Sequence, residues 1–177
     1  MNQFIVLLRG VNVSGHNLLP MKELKKVMED AGFESVATYI QSGNIIFKSS
    51  ESNNEHIKSL IIELIQKHFN LSISVFILSK SQLLVIMNNS PYKDEVDTKK
   101  LYYIIFDQTP SNELVDKLKN IQYPPDEYFI KDSVIYLNCH NGYGNTKFSN
   151  NFFENKLKLK ATTRNWNTLQ KLIEMTE

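Results

Sequence analysis

Three polar clusters carry the residue types that can do chemistry in this chain. Arg9-Gly10-Val11-Asn12-Val13-Ser14-Gly15-His16-Asn17 is the first, Gln41-Ser42-Gly43-Asn44 the second, and Thr162-Thr163-Arg164-Asn165-Trp166-Asn167-Thr168 the third. The first two suit an anion. Glycines let backbone N–H groups approach a ligand closely, and a following helix N-terminus offers unpaired N–H groups with partial positive charge. Arg9 can hold a phosphate or carboxylate through two parallel bonds, and Asn12, Asn17, Gln41 and Asn44 supply donors and acceptors together. His16 can serve as an acid or base. No Gly-Lys-Ser/Thr follows, so the first cluster is not a Walker A loop, nor does it read Gly-x-Gly-x-x-Gly. The competing reading is structural: Gly10, Gly15 and Gly43 serve turns and the asparagines bond local backbone.

The third cluster follows a local excess of positive charge. From position 147 to 164 stand Lys147, Lys156, Lys158, Lys160 and Arg164, against Glu154 alone. Thr162 or Thr163 is expected to cap the last helix, placing Arg164 and Asn165 in its first turn. Arg164 and Asn165 are the candidates to close the site, while Trp166 is expected to be a mostly buried anchor near Phe148, Phe152 or Leu169. Elsewhere the chemistry is thin. His16, His56, His68 and His140 show no metal-ligand spacing, Cys139-His140 lacks a third supporting group, and Asp94, Glu95 and Asp97 lack EF-hand spacing. The reading therefore calls for no cofactor and no metal.

The elements that position these clusters follow from periodicity. Phe4 to Leu8 is a continuous apolar run, as in a strand buried on both faces. Pro20 opens a helix carrying Met21, Leu24, Val27 and Met28, and Gly32 ends it. Val36–Ile40 and Asn44–Lys48 read as strands joined at Ser42-Gly43. Ser52 with Glu55 gives a capping-box pattern before the apolar face Ile57, Leu60, Ile61, Leu64 and Ile65. Ile73–Leu78 is the next strand, and Ser79 with Gln82 can cap a short helix through Met87. The order β-α-β-β-α-β is ferredoxin-like. It recurs after Ser90-Pro91-Tyr92: a strand Leu101–Phe106, a helix from Thr109-Pro110 to Leu118, strands Glu127–Ile130 and Val134–Leu137, a helix marked by Phe148, Phe152 and Phe153, and a last helix with Trp166, Leu169, Leu172 and Ile173 on one face. The expectation is an α/β chain of the α+β type. It has two packed ferredoxin-like units with mainly antiparallel sheets: 1–90 as βαββαβ, and 91–177 as βαββα with an extra terminal helix.

That topology puts the Arg9–Asn17 loop and the Gln41–Asn44 turn at one sheet edge. The connection from Arg9 to Leu19 is about ten residues, longer than the usual two to six. The chain has 177 residues, 42% hydrophobic and 22% charged, with a net charge of +1, so no global field favours nucleic acid or anionic membrane. A single cysteine excludes an internal disulfide. No leader or membrane span is read at either scale of roughly 18 apolar residues or a shorter h-region, and a cytoplasmic location is expected.

Three separated stretches carry a resemblance: Leu-Leu-Arg-Gly-Val-Asn-Val-Ser-Gly-His-Asn with Pro-Met following, Thr-Tyr-Ile-Gln-Ser-Gly-Asn-Ile-Ile-Phe, and Ala-Thr-Thr-Arg-Asn-Trp-Asn-Thr. Together, over nearly the whole chain, they resemble the bacterial family called domain of unknown function 1697. The family's Val-Gly-Gly-His is Val-Ser-Gly-His here, and Ser14 in place of glycine argues against a required positive φ at that position. The resemblance implies an α/β protein with ferredoxin-like units and brings no activity, substrate or catalytic residue. Function then rests on the site. The leading expectation is a module binding a small anionic ligand, a nucleotide or phosphorylated metabolite, at the Arg9/Gln41/Asn44 edge. The alternatives are an enzyme at that edge, using His16 or Arg9, and an RNA-binding domain. RNA is disfavoured because Asn44-Ile45-Ile46-Phe47-Lys48 is aliphatic where stacking aromatics belong.

Overall fold

A computed structural model describes residues 1–177. The chain divides into two compact units, Met1–Leu83 with Leu172–Glu177, and Leu84–Lys171. The first is built from β1 (Asn2–Leu8), α1 (Met21–Asp30), β2 (Glu34–Tyr39), β3 (Asn44–Ser49), α2 (Asn54–Phe69) and β4 (Val75–Leu78). α3 (Lys80–Asn88) follows. Its start is a reciprocal capping box: Ser79 Oγ accepts from Gln82 N at 3.1 Å and Gln82 Oε1 from Ser79 N at 2.8 Å.

The strand order is β2-β3-β1-β4, every pair antiparallel. Since β1 and β2 both run against β3, they are parallel to each other with β3 between them. The alternate residues Phe4, Val6 and Leu8 of β1 join Ile45 and Phe47 of β3. Against them lie Met21, Leu24 and Met28 of α1 and Ile57, Ile61 and Ile65 of α2, which fall at helical spacing. The intervening Ile5, Leu7 and Ile46 are equally buried, so both faces of β1 and β3 are covered over 4–8 and 44–47. The cap of α2 corrects the sequence reading by one residue. Asn53, not Ser52, accepts from Glu55 N and His56 N, while Ser52 N is held by the Glu51 carboxylate at 2.7 Å.

The second unit contains β5 (Leu101–Phe106), α4 (Asn112–Asp116), β6 (Glu127–Lys131), β7 (Val134–Asn138), α5 (Asn150–Leu157) and β8 (Ala161–Asn165). Its strand order, β6-β7-β5-β8, repeats the first, again fully antiparallel. β8 corrects the expected βαββα ending. Thr162 and Thr163 lie within that strand rather than capping a helix, with Thr162 opposite Ile105 and Thr163 opposite Ile104. A polar strand of this kind is held by backbone pairing to β5 and shows no apolar run to betray it. Asn165, its last residue, supplies the cap instead, its Oδ1 accepting from Thr168 N at 2.8 Å at the start of α6 (Trp166–Glu174).

An aromatic cluster forms the core of this unit. Phe148 meets Tyr123, Tyr128, Phe152 and Phe153 with ring centroids 4.7 to 5.8 Å apart. Trp166 is not part of it. The indole is half-buried and makes no ring contact with Phe148 or Phe152, because as the first residue of α6 it precedes the helix's buried positions, Leu169, Leu172 and Ile173.

Candidate functional site

The Arg9–Pro20 connection is organised by one side chain, Asn12. Its amide donates to Leu19 O at 2.9 Å and to Gln41 O at 2.7 Å, and its Oδ1 accepts from Leu19 N at 2.8 Å. Both donor hydrogens and the carbonyl are thus used. Asn12 N also donates to Asn17 O at 3.1 Å. One residue therefore ties the beginning of the loop, its end and the β2–β3 turn together. Asn17 closes the base, its amide donating to Gly10 O at 2.9 Å. The tip is a tight reversal in which His16 N donates to Val13 O at 2.8 Å. Ser14 at φ +48° and Gly15 at φ +79° occupy its centre, the pattern of a type I′ turn. Ser14 thus adopts the positive φ that its replacement of glycine argued against. The demand comes from the turn, and the type I′ geometry imposes it on whatever residue stands there.

The facing turn is sewn to the end of β1. Leu8 N donates to Gly43 O at 2.8 Å, and Arg9 N to Ser74 O at 3.0 Å. Only glycine fits at 43: its φ is +78°, and a Cβ would lie 2.6 Å from Val11 Cγ2 and 2.7 Å from Leu8 Cβ. Asn44 is fully buried, its amide donating to Tyr39 O at 3.1 Å and Ser42 Oγ at 2.9 Å.

The structure thus brings Asn12, Asn17 and Gln41 together through hydrogen bonds. Asn44 lies inside the turn, half-buried Arg9 opens the loop, and exposed His16 sits at its tip. Exposed Val13, Leu18 and Ile40 flank them. Ile40 is a β-branched residue at φ +49°, a genuine outlier.

Arg164 and Asn165 belong to the second unit. Arg164 is buried on β8, with Nη1 donating to Thr162 Oγ1 and to Thr163 O, each at 2.8 Å. Burial brings its pKa down to about 10, which leaves the guanidinium charged at neutral pH. Cys139 is also buried, and desolvation pushes its thiol up to about 12, away from the thiolate form. No group of three or more His, Cys, Asp and Glu side chains is placed to hold a metal ion. No helix is long and apolar enough to cross a membrane.

Sequence reasoning missed a cavity of about 640 Å³ in the second unit, between the 115–126 segment and β6. Its walls include Val115, Leu118, Ile121, Tyr128, Ile130 and Phe148. These residues read individually as ordinary core, and only their assembly reveals a void of ligand size.

A solved structure of a conserved bacterial protein from Streptococcus pneumoniae has the same fold. The TM-score is 0.76 at 22% identity, over 99% of this chain and 98% of that one. A search of curated proteins gives no match. A family profile described as protein of unknown function (DUF1697) matches residues 1–136, and the chain belongs to that family.

Proposed function

We propose that the loop edge of the first unit binds a small anionic ligand, a nucleotide or phosphorylated metabolite, with Arg9 as its charge partner. The observation that carries this reading is a concentration of left-handed backbone. Gly10, Asn12, Ser14, Gly15 and Asn17 in one loop, and Ile40 and Gly43 in the turn beside it, all have positive φ. Such conformations cost on the order of 1–3 kcal/mol for non-glycine residues and persist where the surroundings over-determine them, commonly at binding sites. Here the asparagine bonds supply that constraint. The asparagines are the frame. The ligand meets Arg9, His16 and the backbone of the exposed tip. Val13, Leu18 and Ile40 favour a ligand with an apolar body, a nucleotide base above all, over inorganic phosphate. The 9–19 loop holds no carboxylate to pair with His16, which favours binding over acid–base catalysis.

Thermal-shift titration with inorganic phosphate, AMP and ATP tests the reading. A nucleotide is expected to raise the wild-type Tm, and Arg9→Ala to abolish that response while leaving the circular-dichroism spectrum unchanged. Absence of any wild-type response, or a response that survives Arg9→Ala, overturns it.

A further inference from the structure

The second unit's cavity is lined by that unit's own residues and has a chemistry of its own. Its volume of about 640 Å³ lies in the range that holds small ligands. Its apolar wall is aromatic on one side. Tyr128 and Phe148 meet edge to face with centroids 4.7 Å apart. The Tyr128 hydroxyl donates to Leu118 O, so the ring presents its hydrocarbon and not its polar end. Val115, Ile121 and Ile130 complete the wall. The polar lining is unbalanced. Asp126 and Glu127 both contribute to it, and the single cation is Lys119, whose Nζ is paired with Asp116 Oδ1 at 2.5 Å.

The two acids are positioned rather than incidental. Asp126 Oδ1 accepts from His140 N at 2.9 Å, which fixes the carboxylate at the cavity end of the 115–126 segment. Glu127 begins β6, with His140 Nε2 3.7 Å from its Oε2. Tyr92, also in the lining, is kept a neutral phenol, since burial first and the Glu127 charge second push its pKa up to about 12. Neighbouring charges outside the lining are engaged: Lys147 Nζ lies 4.9 Å above the Tyr123 ring.

An aromatic wall with one held carboxylate, Asp126, at its end and a second, Glu127, at the exposed mouth is complementary to a flat apolar body ending in an ammonium group. We infer that this cavity binds a small aromatic amine, its ring against Tyr128 and Phe148 and its ammonium group on Asp126 and Glu127.

The test is NMR titration of the full chain with three ligands of one shape: tyramine, neutral tyrosol and anionic 4-hydroxyphenylacetate. Tyramine is expected to give saturable shifts at Tyr128, Ile130 and Glu127, and to bind at least tenfold more tightly than 4-hydroxyphenylacetate, with tyrosol between them. The Asp126→Asn/Glu127→Gln double variant should erase the preference for tyramine over tyrosol. Val115→Trp, which fills the cavity, should abolish binding of all three with the spectrum of a folded protein retained. Three outcomes overturn the inference. They are no saturable binding by any of the three, equal affinity for tyramine and 4-hydroxyphenylacetate, and a preference for tyramine that survives the double variant.

Discussion

The two units repeat one scaffold and elaborate opposite ends of it. In the first, the connection from β1 to α1 runs through residues 9–20 and the β2–β3 turn through 40–43, while α1 reaches β2 across only 31–33. In the second, the corresponding first connection is residues 107–111 and the hairpin is 132–133, but α4 reaches β6 across 117–126. Strand order and pairing are the same in both. Each unit therefore has one end of its sheet kept short and the other extended, and each candidate site lies in the extension. The strands carry the burial, and the connections are left to vary.

The units also differ in how they hold ionisable groups, and this gives the largest expected effect. Every tyrosine with a raised pKa lies in the second unit: Tyr92, Tyr102, Tyr103, Tyr128, Tyr136 and Tyr143, joined by Cys139. For all of them burial is the first cause, and it favours the protonated, neutral form. The sign follows directly. Below about pH 8 the folded and unfolded chains both keep these protons. Above it the unfolded chain loses them while the folded unit retains them up to about 12 for Tyr92 and Cys139. Stability therefore falls as pH rises through that window. Hydrogen exchange at rising pH, corrected for its intrinsic rate, is expected to show protection lost from β5–β7 before β1 and β3. Tyrosinate absorbance should rise in step with that loss, and equal loss in both units would break the comparison.

Glycine substitutions sharpen it at the level of backbone. Gly43 and Gly142 both have positive φ, +78° and +83°, but a Cβ at 43 collides with Val11 and Leu8 whereas at 142 nothing lies within 4 Å. Gly43→Ala is expected to cost about 3 kcal/mol, from strain and overpacking together. Gly142→Ala should cost about 1 kcal/mol, from strain alone. Urea unfolding of both variants measures the difference. A similar cost at the two positions would mean that the first unit's turn can yield.

Asn12→Ala follows in size. It removes three side-chain hydrogen bonds, leaves half-buried partners at Leu19, and forfeits a residue suited to φ +54°. About 2 kcal/mol is expected. Asn12→Asp keeps the acceptor for Leu19 N but sets a carboxylate oxygen against the Leu19 and Gln41 carbonyls, and should cost at least as much as alanine. Nothing in the short 107–111 connection corresponds to Asn12, so the second unit's protection from exchange should be unaffected.

The sequence made the scaffold readable where burial leaves a period and hid it where backbone pairing alone does the work. β1, β3, β5 and β7 are apolar runs, and their order set the sheet topology. β8 was missed because Thr162, Thr163, Arg164 and Asn165 are polar and gain their place by pairing with β5. The first unit's loop was legible as a cluster because glycine and asparagine announce left-handed backbone. The division of labour inside it was not. That Asn12 reaches the Gln41 carbonyl, 29 positions away, depends on the sheet edge and has no local signal. Trp166 was overvalued because bulk suggests burial, whereas its place at the first position of α6 decides its exposure. The cavity beside β6 left no trace at all, since voids are properties of assembled walls.

The smallest expected effect returns to matched positions. α2 and α5 each end in a left-handed cap residue whose N–H closes on a carbonyl four residues back: Asn70 at φ +55° onto Gln66 O, and Lys158 at φ +58° onto Glu154 O. The geometry is shared, and the residues are not equally suited to it. Asparagine tolerates the left-handed region, while lysine has only its Cβ clash there. Lys158→Asn should therefore stabilise the protein by a few tenths of a kcal/mol, and Lys158→Gly by about 0.5–1 kcal/mol, as the relief of the Cβ contact exceeds the added freedom of the unfolded chain. Asn70→Lys should lose what Lys158→Asn gains. Denaturant midpoints for the three variants, read with unchanged m-values, decide the matter. If Lys158→Gly destabilises instead, the Lys158 side chain contributes more at the end of α5 than its backbone conformation costs, and the two caps are equivalent in shape only.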